Sequence, residues 1–271
     1  MSNRPASLPD YNEPPIDEVV IAVQFPPIAD LTESHVRDFW KSIRDEYPIS
    51  EHQPRIEGAI ESSGPAKPFV LEIPTAGVVP PPTRTWMISD SDDFLLQVQN
   101  TRLIQNWRRR EKPYNHFEEM KNKFWASFNK FRTFLISLEI PTPQVQQVEV
   151  TYFNWIPQLA MADYLLPAAN TVINVAGTPQ APEEQSWSSK YLLQDEQGLI
   201  QRLYLQAVPA VRPASPGVRG SQLALIFRAA REDGLTDDEM ASLIDSGHIV
   251  IVDTFTQITA PNAQQIWGRY Q

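Results

Sequence analysis

The chain has 271 residues, with 33 acidic against 23 basic side chains, a formal charge of -10, 42% hydrophobic residues and no cysteine. That size and composition fit one large or two modest folded domains, and the missing cysteines exclude disulfide frameworks, thiolate metal sites and cysteine nucleophiles. The acidic balance opposes general attraction to nucleic acid or anionic lipid; no stretch nears the ~20 apolar residues of a membrane span, and the opening MSNRPASLPDYNEPP has neither region of a signal peptide, which points to a cytoplasmic protein without a membrane partner.

Residues 1–15 read as an extended, proline-rich lead. From Glu18 to Phe25, Val19, Ile21, Val23 and Phe25 alternate with Glu18, Val20, Ala22 and Gln24, the period of a strand buried mainly on one face. Val36, Phe39, Trp40, Ile43 and Tyr47 then make one stripe of a helix over Thr32 to Tyr47 that Pro48 closes. Strands are expected at Arg55–Glu61, Phe69–Ile73, Arg84–Ser89 and Phe94–Asn100, the last two joined as a hairpin through Asp90 to Asp93, and Pro80 to Pro82 form a stiff loop. Phenylalanines 117, 124, 128 and 131 with Leu135 and Leu138 predict a long helix from about Tyr114 to Leu138, stopped by Pro141.

The second half repeats that order. A strand at Val145–Ile156 and a short helix at Pro157–Leu166 precede strands at Thr171–Ala176, Trp187–Gln194, Leu199–Val208 and Gln222–Ala229, with a turn at Asp195–Gly198. The capping box Thr236 to Glu239 opens the final helix, carrying Met240, Leu243, Ile244, Ile251, Val252 and Phe255. The expected fold class is α+β: two similar β-α-β-β-β-α units, residues 16–141 and 142–271, forming antiparallel sheet with long helices packed on one face. The halves are two separable domains or share one continuous sheet.

Catalytic signatures are scarce. The four histidines, His35, His52, His116 and His248, form neither His-x-His nor His-Glu-x-x-His, so no zinc site is expected, and no cofactor is implied. His248 reads as a helix residue that packs or hydrogen-bonds at a seam. The carboxylates at Asp90, Asp92 and Asp93 fit a solvated turn, and those at Asp237 to Glu239 fit a helix N-terminus better than a metal site. Ser127 and Lys130 match Ser-x-x-Lys without its companion motifs, and Walker, Gly-x-Ser-x-Gly and Gly-x-Gly-x-x-Gly loops are missing.

Two clusters remain. Arg102, Trp107, Arg108, Arg109, Arg110 and Lys112, before Tyr114 and His116, could grip phosphate and stack on bases, or be a solvated basic turn balanced by Glu111, Glu118 and Glu119; we favour the turn. The rings of Trp107, Tyr114, Phe117, Phe124, Trp125, Phe128, Phe131 and Phe134 are too many for a narrow core stripe, so part of the set is expected to face the other half, a dimer mate or a ligand groove between helix and sheet.

Residues 12–25 (NEPPIDEVVIAVQF), Leu96 to Gln99, Trp107 to Phe131, Tyr152 to Ile156 and His248 to Thr259 together resemble a sporadically distributed, uncharacterised bacterial protein family of similar length, a likeness that runs over nearly the whole chain. The resemblance carries no catalytic residue across; sporadic distribution is compatible with mobile or conflict-related genes such as defence or toxin-control loci. The leading expectation is a protein-interaction or assembly module acting as a homodimer or with a protein partner, more a binder than an enzyme. The alternatives are a small-molecule binder or enzyme with a pocket between helix and sheet using Arg108, Tyr114, His116, Asn154 or His248, and a nucleic-acid binder using the Arg108 to Arg110 run. Contact candidates are therefore Trp107, Arg108, Arg109, Arg110, Tyr114, His116, Trp125, Asn154 and His248.

Overall fold

The computed structural model describes residues 8–58, 60–64, 84–111, 114, 116–157, 161–168, 173–175, 178–180, 182, 184–211 and 218–270. In chain order the elements are β1 (Ile16–Gln24), α1 (Glu33–Ser42), β2 (Ile49–Gln53), β3 (Arg84–Ile88), β4 (Phe94–Gln99), β5 (Arg102–Arg108), α2 (Phe117–Ser137), β6 (Gln147–Pro157), α3 (Met161–Tyr164), β7 (Ile173–Val175), β8 (Thr178–Gln180), β9 (Trp187–Glu196), β10 (Leu199–Val211), β11 (Arg219–Arg231), α4 (Asp237–Ile258) and α5 (Pro261–Ile266). The class is α+β. Nine strands form one antiparallel sheet in the order β2-β3-β4-β5-β1-β6-β11-β10-β9, and β7 pairs with β8 separately. The strands of the two halves meet where β1 pairs with β6, so one sheet runs through both.

The central position of β1 explains its burial. Every residue from Val19 to Gln24 is buried, on both faces, where alternation predicted one buried face. Val19, Ile21 and Val23 belong to the main core, while Val20 and Ala22 point the other way into a small cluster with Ile104. α2 packs on β5 and β1, and α4 on β6 and β11. Phe124, Phe128 and Phe131 of α2 and Ile244, Ile251 and Phe255 of α4 enter that main core, each such side chain contributing about 1.5–3 kcal/mol. The α4 backbone lies close to the sheet because residue 247 is glycine: a Cβ there would come within 2.6 Å of Phe227 Cδ1.

Local signals set several boundaries. The Thr236 side chain accepts from the Glu239 backbone while Glu239 reaches back to the Thr236 N–H, so the expected capping box starts α4. In the β9–β10 hairpin Gln197 and Gly198 have φ of 52° and 74°, and Asp92 in the β3–β4 turn has φ of 56°. Asparagine, aspartate and glycine tolerate this region best, which is why turn chemistry located both hairpins.

Other expectations need correction. The helix over Thr32 to Tyr47 stops at Ser42, and the following turn is closed by Trp40 Nε1 donating to the Tyr47 carbonyl at 2.8 Å. The long helix starts at Phe117, not Tyr114. Residues 102–108, read as part of a basic turn, are strand β5, buried from Arg102 to Trp107 between β4 and β1. β2 and α5 were not anticipated, and of Thr171–Ala176 only residues 173–175 are described, as β7. The expectations for Phe69–Ile73 and Pro80 to Pro82 lie outside the described residues.

Arg55–Glu61 was expected to be a strand, yet its described residues join no ladder. They cross the sheet as a strap on the face carrying Val20 and Ala22, and side chains replace strand partners. Gln99 Oε1 accepts from the Ile56 N–H at 3.0 Å, and Gln147 Oε1 from the Glu61 N–H at 2.8 Å. Glu61 accepts from Arg202 at 2.6 Å, from Tyr204 Oη at 2.6 Å and from Arg228 at 3.3 Å, which ties the strap to the C-terminal half. Burial would raise the Glu61 pKa, but those donors outweigh it and hold the carboxyl below its ordinary range. Among the described residues no helix is long and apolar enough to cross a membrane.

Candidate functional site

The main core opens at one end into a cleft of about 630 Å³, a size suited to a small organic ligand. Its walls come from five places in the chain: the lead around Asp10 to Ile16, the start of α2 with Tyr114 before it, Tyr152 of β6, one face of α4 from Asp245 to Val252, and Tyr270 of the C-terminal segment. A narrower apolar recess of about 40 Å³ adjoins it and is lined by Ile16, Asn154, Ile251 and Phe255 among others.

The lead is held in place by backbone pairing with the C-terminal segment. Asn12 N donates to the Gly268 carbonyl at 3.1 Å, Glu13 N to Trp267 at 3.0 Å and Tyr270 N to Asp10 at 3.1 Å. Tyr11 then packs edge-on against Phe255 and shares a 2.7 Å hydrogen bond with Thr256 Oγ1. Burial pushes the Tyr11 pKa up.

Polar groups converge at the cleft base. The Tyr114 and Tyr152 hydroxyls lie 3.2 Å apart, and the Tyr152 hydroxyl lies 2.8 Å from His248 Nδ1, giving a hydroxyl–hydroxyl–imidazole chain. The His248 ring stacks on Phe117 at 4.1 Å with 7° between planes, and Trp107 abuts Tyr114 at 5.0 Å. These rings fix orientation as well as burying area. Burial pushes the Tyr114 pKa well above its ordinary value, so this phenol stays protonated. Close by, Lys121 Nζ bridges Asp245 at 2.7 Å and Glu118 at 3.0 Å. Burial alone would lower the lysine pKa; the two carboxylates outweigh it and raise it.

Of the residues singled out from sequence, the cleft brings together Tyr114, His116 and His248, with Asn154 in the adjoining recess. Asn154 is buried and donates to the Leu223 carbonyl at 3.2 Å. His116 is the exposed N-cap position of α2 and makes no side-chain cap bond there. Trp107 stands behind Tyr114 in the core, and Trp125 packs on Phe124 and Phe128, away from the cleft. The arginine run has internal duties: Arg108 and Arg110 both clasp Asp92 in the β3–β4 turn, and Arg109 donates to the carbonyls of Ile16 and Pro14 at 2.7 Å each. Arg102 belongs to β5 rather than a loop.

The aromatic set is also absorbed. Trp107, Phe117, Phe124, Phe128 and Phe131 are buried in the chain's own core, and Tyr114, Trp125 and Phe134 are half-buried against it; of the destinations expected for the set, Tyr114 and Phe117 face Tyr152 and His248 of the other half. Ser127, the Ser-x-x-Lys serine, is a buried donor to Gln105 at 2.8 Å, while Lys130 pairs with Glu46.

Sequence reasoning missed Tyr11, Phe117, Tyr152 and Asp245 as site residues. Tyr152 falls inside the expected strand Val145–Ile156, on the same face as Val148 and Val150 by alternation; a hydroxyl among valines was the available signal. Among the described residues no grouping of three or more His, Cys, Asp or Glu side chains could hold a metal ion. The tyrosine–tyrosine–histidine chain can accept a ligand hydrogen bond, donate one, or pass a proton between imidazole and phenol as the tautomer allows. Comparison of the chain with family models, with curated proteins and with solved structures finds no match.

Proposed function

We propose that this chain binds a small organic molecule in the cleft between the lead, α2, β6 and α4, with Tyr152 and His248 as the polar recognition pair. The observation that carries this reading is the Tyr114–Tyr152–His248 hydrogen-bond chain set among aromatic rings in a cleft of about 630 Å³. Aliphatic and aromatic side chains beside convergent polar groups, as in this cleft, give such a site both burial and orientation. The test is a thermal-shift screen of a small-molecule library on the wild type, repeated on Tyr152→Phe and Tyr270→Ala. A ligand must raise Tm of the folded state; hits whose shift shrinks at least about tenfold in affinity in Tyr152→Phe support the reading, about 1.4 kcal/mol. Hits that bind both variants as well as the wild type overturn it.

A second reading, assembly through protein contact, is favoured by the edge of the sheet. Tyr191, Leu192 and Leu193 of β9, the last strand of the sheet among the described residues, are 46%, 56% and 44% exposed, and consecutive apolar residues on such a strand invite another chain. Light scattering of the wild type beside Leu192→Lys checks it: a dimer dissociated by the lysine supports assembly, and a wild-type monomer counts against it. The same fold-level reading takes residues 16–141 and 142–271 as two similar units; the paired central strands β1 and β6, each followed by a helix and a run of antiparallel strands, support it.

A further inference from the structure

The opposite side of the sheet from the cleft holds an electrostatic imbalance. Arg102 is 7% exposed, yet its guanidinium forms no ion pair or hydrogen bond among the described residues, and its Nε is enclosed without an acceptor. The two carboxylates whose charge reaches it are already held by other arginines: Glu149 by Arg228 at 2.7 Å, and Glu57 by Arg55 at 2.8 Å. Glu61 of the strap is likewise taken, by Arg202 and Arg228. Arg84 adds a further positive charge, and its Nε too is enclosed without an acceptor.

The strand register shows how these groups are arranged. Arg84, Gln99, Arg102, Gln24 and Gln147 are successive cross-strand partners from β3 to β6, so they share one row on one face. Gln24 and Gln147 are buried, and the Gln147 Nε2 amide is a third enclosed donor without an acceptor in this row. The strap lies directly over Arg102: a Cβ at Gly58 would sit 3.2 Å from its Nη2. Burying an arginine that no carboxylate among the described residues contacts is unfavourable, because desolvation is then repaid only by charges already committed elsewhere. A guanidinium fork matches the geometry of an oxyanion, and amide N–H groups complete such a cradle.

We propose that Arg102 anchors an anion-binding site beneath the strap, which takes one small oxyanion of the phosphate type, with the amides of Gln24 and Gln147 as further donors. The site joins strap to sheet and is separate from the cleft, so the outcome of its test is independent of the cleft reading.

The experiment compares the wild type with Arg102→Met after exhaustive dialysis into chloride, followed by titration with inorganic phosphate or sulfate at matched ionic strength. Low millimolar concentrations avoid the general stabilisation that such salts give when concentrated. Wild-type Tm is expected to rise by about 5 °C at about 100 times the Kd, and the ³¹P signal of phosphate to broaden. Both responses should vanish in Arg102→Met, whose Tm in chloride is expected to equal or exceed that of the wild type. A wild type that neither shifts nor broadens the signal overturns the proposal, and so does a shift that survives in Arg102→Met. Should the methionine variant fail to fold, Arg102→Lys, which keeps the charge but loses the fork, must bind phosphate at least tenfold more weakly; equal binding overturns the assignment.

Discussion

Replacing Gly247 by alanine probes how tightly α4 sits on the sheet. An added Cβ would meet Phe227 Cδ1 at 2.6 Å, with Phe227 Cγ and Val150 Cγ2 both at 3.1 Å. Phe227 and Val150 are both fully buried, so neither offers a flexible tip that can swing aside. Two effects compete. Alanine in a helix interior is worth about 1 kcal/mol over glycine, whereas forcing a methyl into a packed core costs about 1–3 kcal/mol. The contact falls below any ordinary approach, which places the overpacking cost in the upper part of its range, so overpacking should win by up to about 2 kcal/mol net. For a chain of this size that lowers Tm by about 2–6 °C, measurable by calorimetry or circular dichroism. Gly247→Ala combined with Phe227→Leu should recover part of the loss, a non-additivity expected only of touching residues. His248 follows directly in the helix, so the single variant should also weaken ligand-induced shifts at the cleft. A Gly247→Ala protein that melts above the wild type would show that helix propensity outweighs contact and that α4 is free to rise.

Glu61→Gln should destabilise by about 3 kcal/mol in urea melts at neutral pH, because it leaves Arg202 without its charge partner in a buried setting. Because the folded Glu61 pKa is depressed, its stabilisation is present above the unfolded value near 4.3 and fades as pH falls through the folded value; Glu61→Gln should flatten that part of the acid limb. Thr236→Ala removes the α4 cap and should cost about 1 kcal/mol, read as a shift in denaturation midpoint. Tyr47 and Tyr204 are pushed up to about 12, chiefly by burial, so ultraviolet titration should show late-ionising phenols; stability from these groups is complete below pH ~10 and lost as pH rises toward their folded values.

Legibility followed the range of the interactions. Alternation at Val19 to Val23, turn residues at Asp92 and Gly198 and the box at Thr236 are local, and each marked its element. Arg102 to Arg108 misled because the charges at its ends masked a strand whose middle, Leu103, Ile104 and Trp107, is apolar. Arg55 to Glu61 misled in the opposite way: its described residues join no ladder, and the Ile56 and Glu61 N–H groups are met by the side chains of Gln99 and Gln147, partners that lie 43 and 86 residues away. The surplus of rings left the other half, a dimer mate and a ligand groove all open as destinations, because the sequence does not reveal that α2 and α4 pack on one nine-stranded sheet. At the cleft, His248, Tyr114 and His116 drew notice as chemically able residues, while Tyr152, the link between two of them, was hidden by its strand register.

Glu61 reaches its partners Arg202 and Arg228 across 141 and 167 positions of chain. During synthesis the ribosome delivers this carboxylate, and the central strand β1, long before β10 and β11 exist to receive them. The nascent N-terminal half therefore emerges with a hydrated acid awaiting its arginines and a β1 edge awaiting β6, a combination that favours slow maturation. Truncations ending before β10 should accumulate as aggregates rather than as half-proteins.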